Sequence, residues 1–301
     1  MGRPISSAVY LTALLPLLLS EAVASPLPQG WGGGNPVELH GQAIANDIES
    51  QIRLLTVRIM GRYAAGSGVL VDRDGNTYTV LTNWHVVEGS TGLTLLTADG
   101  REHPIQGHSI QIGGVDMAIV RFSSSRDYRV ASVMSQPPRV GDTVYAAGFP
   151  LYDSITANST LDRGIDNFHL TRGSVSVLPD RALSGGYQLG YTNDIEIGMS
   201  GGPIFNDRGQ LVGINARIKN RDPSFGVYVF EDGSQPDGAL LDRMQASSWG
   251  VSIDRYTGLP TPSPQPRSDA PTPPPSSEPI SKPPASTTEP PIPTHPSSLS
   301  E

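Results

Sequence analysis

Cysteine is absent from all 301 residues, which excludes a disulfide framework, a thiolate metal site and a cysteine nucleophile. Stability must therefore come from packing. Basic residues are also in short supply: 21 Lys and Arg against 29 Asp and Glu leave a net charge of -8. Non-specific nucleic-acid affinity comes from clustered cations, so a nucleic-acid partner is not expected, and no polybasic run offers itself to lipid headgroups. No internal repeat has a fixed period, long helical periodicity is scarce, and no apolar run after the N-terminus is long enough for a membrane span.

What is present divides the chain into unlike segments. Arg3, the apolar run "AVYLTALLPLLL" and the small residues "AVAS" fit a secretory signal peptide over residues 1–24, cleaved after Ala24. The run is shorter than the ~20 residues that cross a bilayer, and Pro16 interrupts it. The expected product is an exported protein, periplasmic or extracellular, with no stable membrane insertion. At the other end, residues 258–301 are rich in Pro, Ser and Thr and too poor in apolar side chains to offset the entropy of ordering. They read as an extended, disordered tail whose partner, if it has one, the sequence does not specify.

Between these ends lie short β-branched and apolar runs separated by turn residues. A first set comprises "LLTVRIM" (54–60), "SGVLVD" (67–72), "TYTVLTN" (77–83), "LTLLTA" (93–98) and "DMAIVRF" (116–122). After a break at Pro137 and Pro138 follow "TVYAAGFP" (143–150), "FHLTRGSVSVL" (168–178), "YQLGYTN" (187–193), "GPIFN" (202–206), "LVGINARI" (211–218) and "GVYVF" (226–230). The expected class is all-β, as two barrels or sandwiches. The first covers about 51–135 and the second about 139–232, with a C-terminal helix at about 238–247 carrying Leu240, Leu241 and Met244 at helical spacing.

The stretch "EIGMSGGPIF" surrounds Ser200 with three glycines and a proline. Such a cluster reads either as a tight turn or as the frame of a nucleophile. A serine hydroxyl needs a base to remove its proton and donors for the oxyanion it creates. Gly198 can adopt a backbone conformation closed to other residues, and Gly201 and Gly202 can admit a substrate backbone. Of six histidines, His85 stands at the end of the run "TVLTNWHVV", where a side chain is rigidly held. Asp116 opens an otherwise apolar strand, a costly place for an idle carboxylate unless it orients an imidazole.

The blocks "LTNWHVV", "DMAIVRF" and "GMSGGP", in the order His, Asp, Ser, resemble the signature blocks of chymotrypsin-like (trypsin-fold) serine proteases. The "TN-x-H-V-V" form is similar to the bacterial high-temperature-requirement branch. The likeness runs over roughly 51–231 and includes "GSGV" (66–69), "AAGFP" (146–150) and "TRGSVS" (171–176). It implies two six-stranded β-barrels within a protease domain over 51–257, with the active site in the cleft between them. By the same resemblance His85 is the general base, Asp116 its orienting carboxylate and Ser200 the nucleophile. The N–H groups of Gly198 and Ser200 form the oxyanion hole, and no metal or organic cofactor is required.

Met199 replaces the aspartate that pairs with a new N-terminus in digestive relatives, so that zymogen switch is absent, although residues 25–50 could still cover the cleft. No folded length remains for the PDZ domain that follows the protease in the resembled branch. The resemblance lines the substrate pocket with residues just before Ser200, with Asn215 and Ala216 of the "INARI" strand, and with Gly226. Asp194 falls where a pocket-floor carboxylate would select Arg or Lys, but equally reads as a loop residue facing water, while the resembled branch prefers small aliphatic side chains. The "GINAR" strand lacks the histidine that marks glutamyl endopeptidases, which argues against acidic preference. Two functions follow: a serine endopeptidase acting on proteins or peptides through an acyl-enzyme, or a catalytically silent peptide-binding or holdase protein on the same fold.

Overall fold

The computed structural model describes residues 47–61 and 65–257. The signal-peptide and tail readings lie outside them. Among the described residues no helix is long and apolar enough to cross a membrane.

A helix, α1 (47–55), opens the described chain and places Ile48, Ile52 and Leu55 on one buried stripe. The first sheet follows: β1 (Thr56–Met60), β2 (Ala65–Asp74), β3 (Thr77–Thr82), β4 (Thr94–Leu96), β5 (Glu102–Pro104), β6 (Gln106–Gln111) and β7 (Ala118–Ser123), in spatial order β5-β4-β1-β2-β3-β7-β6. Because β5 runs into β6 through Ile105, whose N–H donates to the Leu93 carbonyl at 3.0 Å, one bent strand pairs with β4 at one end and β7 at the other. Counted so, the sheet is a six-stranded barrel. Val57, Ile59, Val80, Val120 and Phe122 fill its interior, as alternation along each strand requires.

The second barrel consists of β9 (Thr143–Gly148), β10 (His169–Val177), β11 (Tyr187–Tyr191), β12 (Pro203–Asn206), β13 (Gln210–Arg217) and β14 (Ser248–Ser252). Its order is β12-β9-β10-β11-β14-β13, and β13 pairs with β12 to close the ring. A two-residue strand, β8 (Ser132–Val133), runs parallel to β13. Val144, Val175, Leu189, Ile204 and Val212 pack inside. A third apolar cluster joins the barrels: Val69, Leu81 and Met117 of the first meet Tyr145, Ala147 and Phe205 of the second, with Ile48 and Ile52 of α1. The cleft between barrels thus has a packed floor.

The all-β, two-barrel expectation holds, with corrections at its edges. Residues 54–55 end α1 instead of beginning a strand: Leu55 continues the helical stripe of Ile48 and Ile52, while Leu54 points to solvent. The second barrel does not finish near 232, because β14 fills the slot between β11 and β13 after α3 (Gly238–Gln245). The crossover begins before Pro137, as β8 already belongs to the second sheet. The expected strand at 226–230 is absent: Pro223–Phe225 forms a 3-10 turn, with the Asp222 carboxylate accepting from Ser224 N–H at 2.9 Å, and Phe230 makes a single bridge to Leu183. Proline and a left-handed glycine at φ +66° break that run.

One buried cation ties a loop to the first barrel. Arg58, 1% exposed on β1, donates to the Thr160 carbonyl at 2.9 Å, the Gly164 carbonyl at 2.6 Å and the Thr160 Oγ1 at 2.8 Å. Burial lowers its pKa, opposed by the charge of Asp162. Arg58→Met should cost about 3 kcal/mol, because two carbonyls lose charged donors in a dry site. Urea unfolding of the variant would measure it; an unchanged midpoint contradicts the assignment.

Candidate active site

Three segments meet at the cleft. The first is a one-turn helix, α2 (Trp84–Val87), after β3. Asn83, in extended conformation, precedes it, and Val86 and Val87 enter the first barrel's core, which turns His85 outward. This corrects the expected strand end: pairing of β3 stops at Thr82, and helical spacing, not alternation, sets the direction of the imidazole.

The second segment is the bend before β7. Asp116 is buried and accepts three hydrogen bonds: from His85 Nδ1 at 2.8 Å and the Tyr187 hydroxyl at 2.7 Å, both to Oδ2, and from the His85 backbone N–H at 3.0 Å to Oδ1. Its backbone is equally fixed, with N–H bonded to the Gly185 carbonyl at 2.8 Å and C=O bonded to Asn83 Nδ2 at 2.8 Å. The Nδ1 contact assigns the ring proton to Nδ1 and leaves Nε2 as acceptor. Tyr187 is held as a neutral donor: burial, then the Asp116 charge, push its hydroxyl pKa up to about 12.

The third segment is the turn 196–199, closed by Met199 N–H donating to the Glu196 carbonyl at 3.0 Å, with Met199 buried in the second barrel's core. An apolar anchor thus sets this loop. Gly198 has φ +99°. Its carbonyl accepts from Ser67 Oγ at 2.8 Å, and the same hydroxyl accepts from Phe149 N–H at 2.9 Å. Ser67 N–H in turn donates to the Ser200 carbonyl at 2.8 Å. Ser67 therefore clamps the Gly198–Met199 and Ser200–Gly201 peptide planes from the opposite barrel. Ser200, half-buried, directs Oγ to the Ala216 carbonyl at 3.5 Å. Ala216 is the extra residue of a bulge between β13 and β14, which turns its carbonyl into the cleft.

His85, Tyr187, Ser200 and Ala216 line one cleft of about 430 Å³. The other expected pocket residues are placed elsewhere. Asp194 is exposed and ion-paired with Lys219 at 2.7 Å, because the burial of Ile195 turns the preceding side chain outward. Gly226 caps the 3-10 turn away from the cleft. Asn215 is fully buried beneath the serine loop, donating to the Ala147 carbonyl at 2.8 Å and accepting from the Tyr191 hydroxyl at 2.7 Å. Nor do Gly201 and Gly202 admit substrate: a Cβ on the first would lie 2.3 Å from the Ser67 carbonyl oxygen, and on the second 2.1 Å from that of Ala147. The first barrel closes upon Gly201, and the neighbouring strand β9 of its own barrel upon Gly202.

The sequence of residues 66–214 matches the family described as trypsin-like peptidase domain. Residues 66–214 are thus similar to that family. A Bacillus subtilis protein named serine protease Do-like HtrA is 30% identical over 175 residues, covering 54% of this chain and 35% of the relative. A Rhizobium meliloti protein named probable periplasmic serine endoprotease DegP-like is 32% identical over 207 residues, covering 64% and 37%. The chain thus spans little more than a third of either relative's length. Among solved structures, a serine endoprotease from Yersinia pestis superposes with a TM-score of 0.50 at 20% identity, over 71% of this chain and 64% of that one, a likeness of fold.

Proposed function

We propose that this protein is an exported serine endopeptidase that hydrolyses peptide bonds through an acyl-enzyme. The observation that carries the reading is the His85 Nδ1 to Asp116 Oδ2 bond of 2.8 Å in the cleft that Ser200 shares. Ser200 Oγ attacks the scissile carbonyl carbon while His85 Nε2 takes its proton. The N–H groups of Gly198 and Ser200 receive the oxyanion. The C–N bond then breaks as His85 protonates the departing amine, and water, deprotonated by His85, releases the acyl group from Ser200. Asp116 stays ionised and holds the ring. The periplasmic names of several relatives support export.

A serine-reactive fluorophosphonate tests the nucleophile. It should add mass at Ser200 in the wild type and fail to do so in His85→Ala; equal labelling of both contradicts activation by His85. Turnover of casein then separates an endopeptidase from a silent binding protein.

Tyr187 acts as a positioning residue, touching Asp116 and not the reacting atoms. Tyr187→Phe removes one charge-assisted donor from the carboxylate, and kcat should fall about tenfold with KM unchanged. A parallel rise in KM would instead mark Tyr187 as a substrate contact.

A further inference from the structure

The wall of the cleft formed by the end of β13 carries two guanidiniums, those of Arg217 and Arg221. Arg217 is the last residue of β13, and its Cζ lies 4.5 Å from the centroid of the Tyr187 ring. Stacking on a ring face holds the guanidinium plane and leaves N–H edges for planar acceptors. Arg221, exposed, follows where the chain leaves the barrel. The two fields converge, since both cations oppose the upward shift that burial imposes on the Tyr228 hydroxyl.

Among the described residues neither guanidinium forms an ion pair with a carboxylate, whereas Lys219 between them is neutralised by Asp194. One carboxylate, Glu196, lines the same cleft, and the buried Asp116 lies behind His85 and Tyr187. Asp116 is saturated by three donors, and Glu196, on the wall preceding the serine, has Oε1 3.9 Å from His169 Nε2. The β13 wall is therefore an unneutralised pair of cations adjoining Ala216, whose carbonyl is 3.5 Å from the Ser200 hydroxyl. An extended peptide advances about 3.3 Å per residue, so a side chain a few residues from the scissile bond reaches this pair.

Resting on the endopeptidase reading, we propose that Arg217 and Arg221 form a subsite for carboxylates, so that the enzyme selects peptides carrying Asp or Glu within four residues of the scissile bond. Arginine suits this task because its fork matches a carboxylate with two parallel hydrogen bonds. The sequence argued against acidic preference because β13 lacks a histidine; the structure supplies the positive charge from guanidiniums at the end of the same strand.

Full-length Ser200→Ala protein separates recognition from turnover. Fluorescein-labelled peptides, identical except for a single Glu or Gln scanned across the eight residues around the cleavable bond, would be titrated by anisotropy at low ionic strength. At one position or more Glu should bind about tenfold tighter than Gln, and that ratio should drop to about twofold with Arg217→Gln or Arg221→Gln added. Lys219→Gln should leave it unchanged. Equal affinity for Glu and Gln at every position, or no binding of either, overturns the subsite; a ratio lost equally with Lys219→Gln assigns it to a diffuse field and overturns the two-arginine site. Cleavage of the same peptides by the wild type reports separately on the endopeptidase reading, whose failure would leave selective binding intact.

Discussion

Asp116→Asn is expected to lower kcat by about 10⁴-fold while leaving the fold and KM nearly unchanged, the size of effect that follows from presenting the wrong imidazole tautomer. The reason lies in the count of donors. Three converge on this carboxylate: the His85 ring and backbone N–H groups and the Tyr187 hydroxyl. A carboxylate satisfies all of them because both its oxygens accept, whereas an amide offers one oxygen and one NH2. With its nitrogen toward the ring, the amide donates to His85 Nδ1 and moves the ring proton to Nε2, where it faces the serine that must be deprotonated. With its nitrogen toward the backbone, it opposes the His85 N–H donor to donor. Both orientations fail for different reasons, and steady-state kinetics with a peptide substrate would read the loss. Retention of more than a hundredth of wild-type kcat would show that Asp116 does not set the tautomer.

How far such a site is legible in sequence depends on how local its determinants are. Ser200 sits among glycines that announce a special backbone, and His85 and Asp116 lie in short blocks whose order along the chain resembles that of known proteases. Nothing local gives the role of Tyr187, whose partner Asp116 is 71 residues away, or that of Ser67, which lies in a recognisable block but reaches across 131 residues to Gly198. Neither contact leaves a periodicity, because each depends on how two barrels dock. The same physics left Asp194 open between two readings: its distance from the nucleophile along the chain fits a pocket floor as well as a solvent-facing loop, and the burial of Ile195 and the attraction of Lys219 turn it to solvent. Strand β14 was invisible for another reason. "SWGVS" follows directly on α3, and only a barrel lacking one strand between β11 and β13 reveals that it must pair there.

The second large effect is expected at Gly198. Ala at this position should lower kcat by about 10²- to 10³-fold, the usual loss when an oxyanion donor is misplaced. A Cβ here would lie 2.5 Å from the Leu151 nitrogen and 2.6 Å from the Phe149 carbonyl oxygen. Both are backbone atoms, so no rotamer relieves the overlap, and at φ +99° the residue is strained besides. The loop must shift, and the shift falls on the Ile197–Gly198 peptide plane, which carries the Gly198 N–H and is held by Leu151 N–H donating to the Ile197 carbonyl at 2.7 Å. Gly75→Ala separates strain from function: its φ of +58° imposes a similar backbone penalty, but nothing lies within 4 Å of its added Cβ and it sits in the remote turn between β2 and β3. That variant should lose about 1 kcal/mol of stability and keep its turnover. If Gly198→Ala behaved like Gly75→Ala, melting earlier but hydrolysing peptide at the wild-type rate, the oxyanion would have to be received by donors other than this loop.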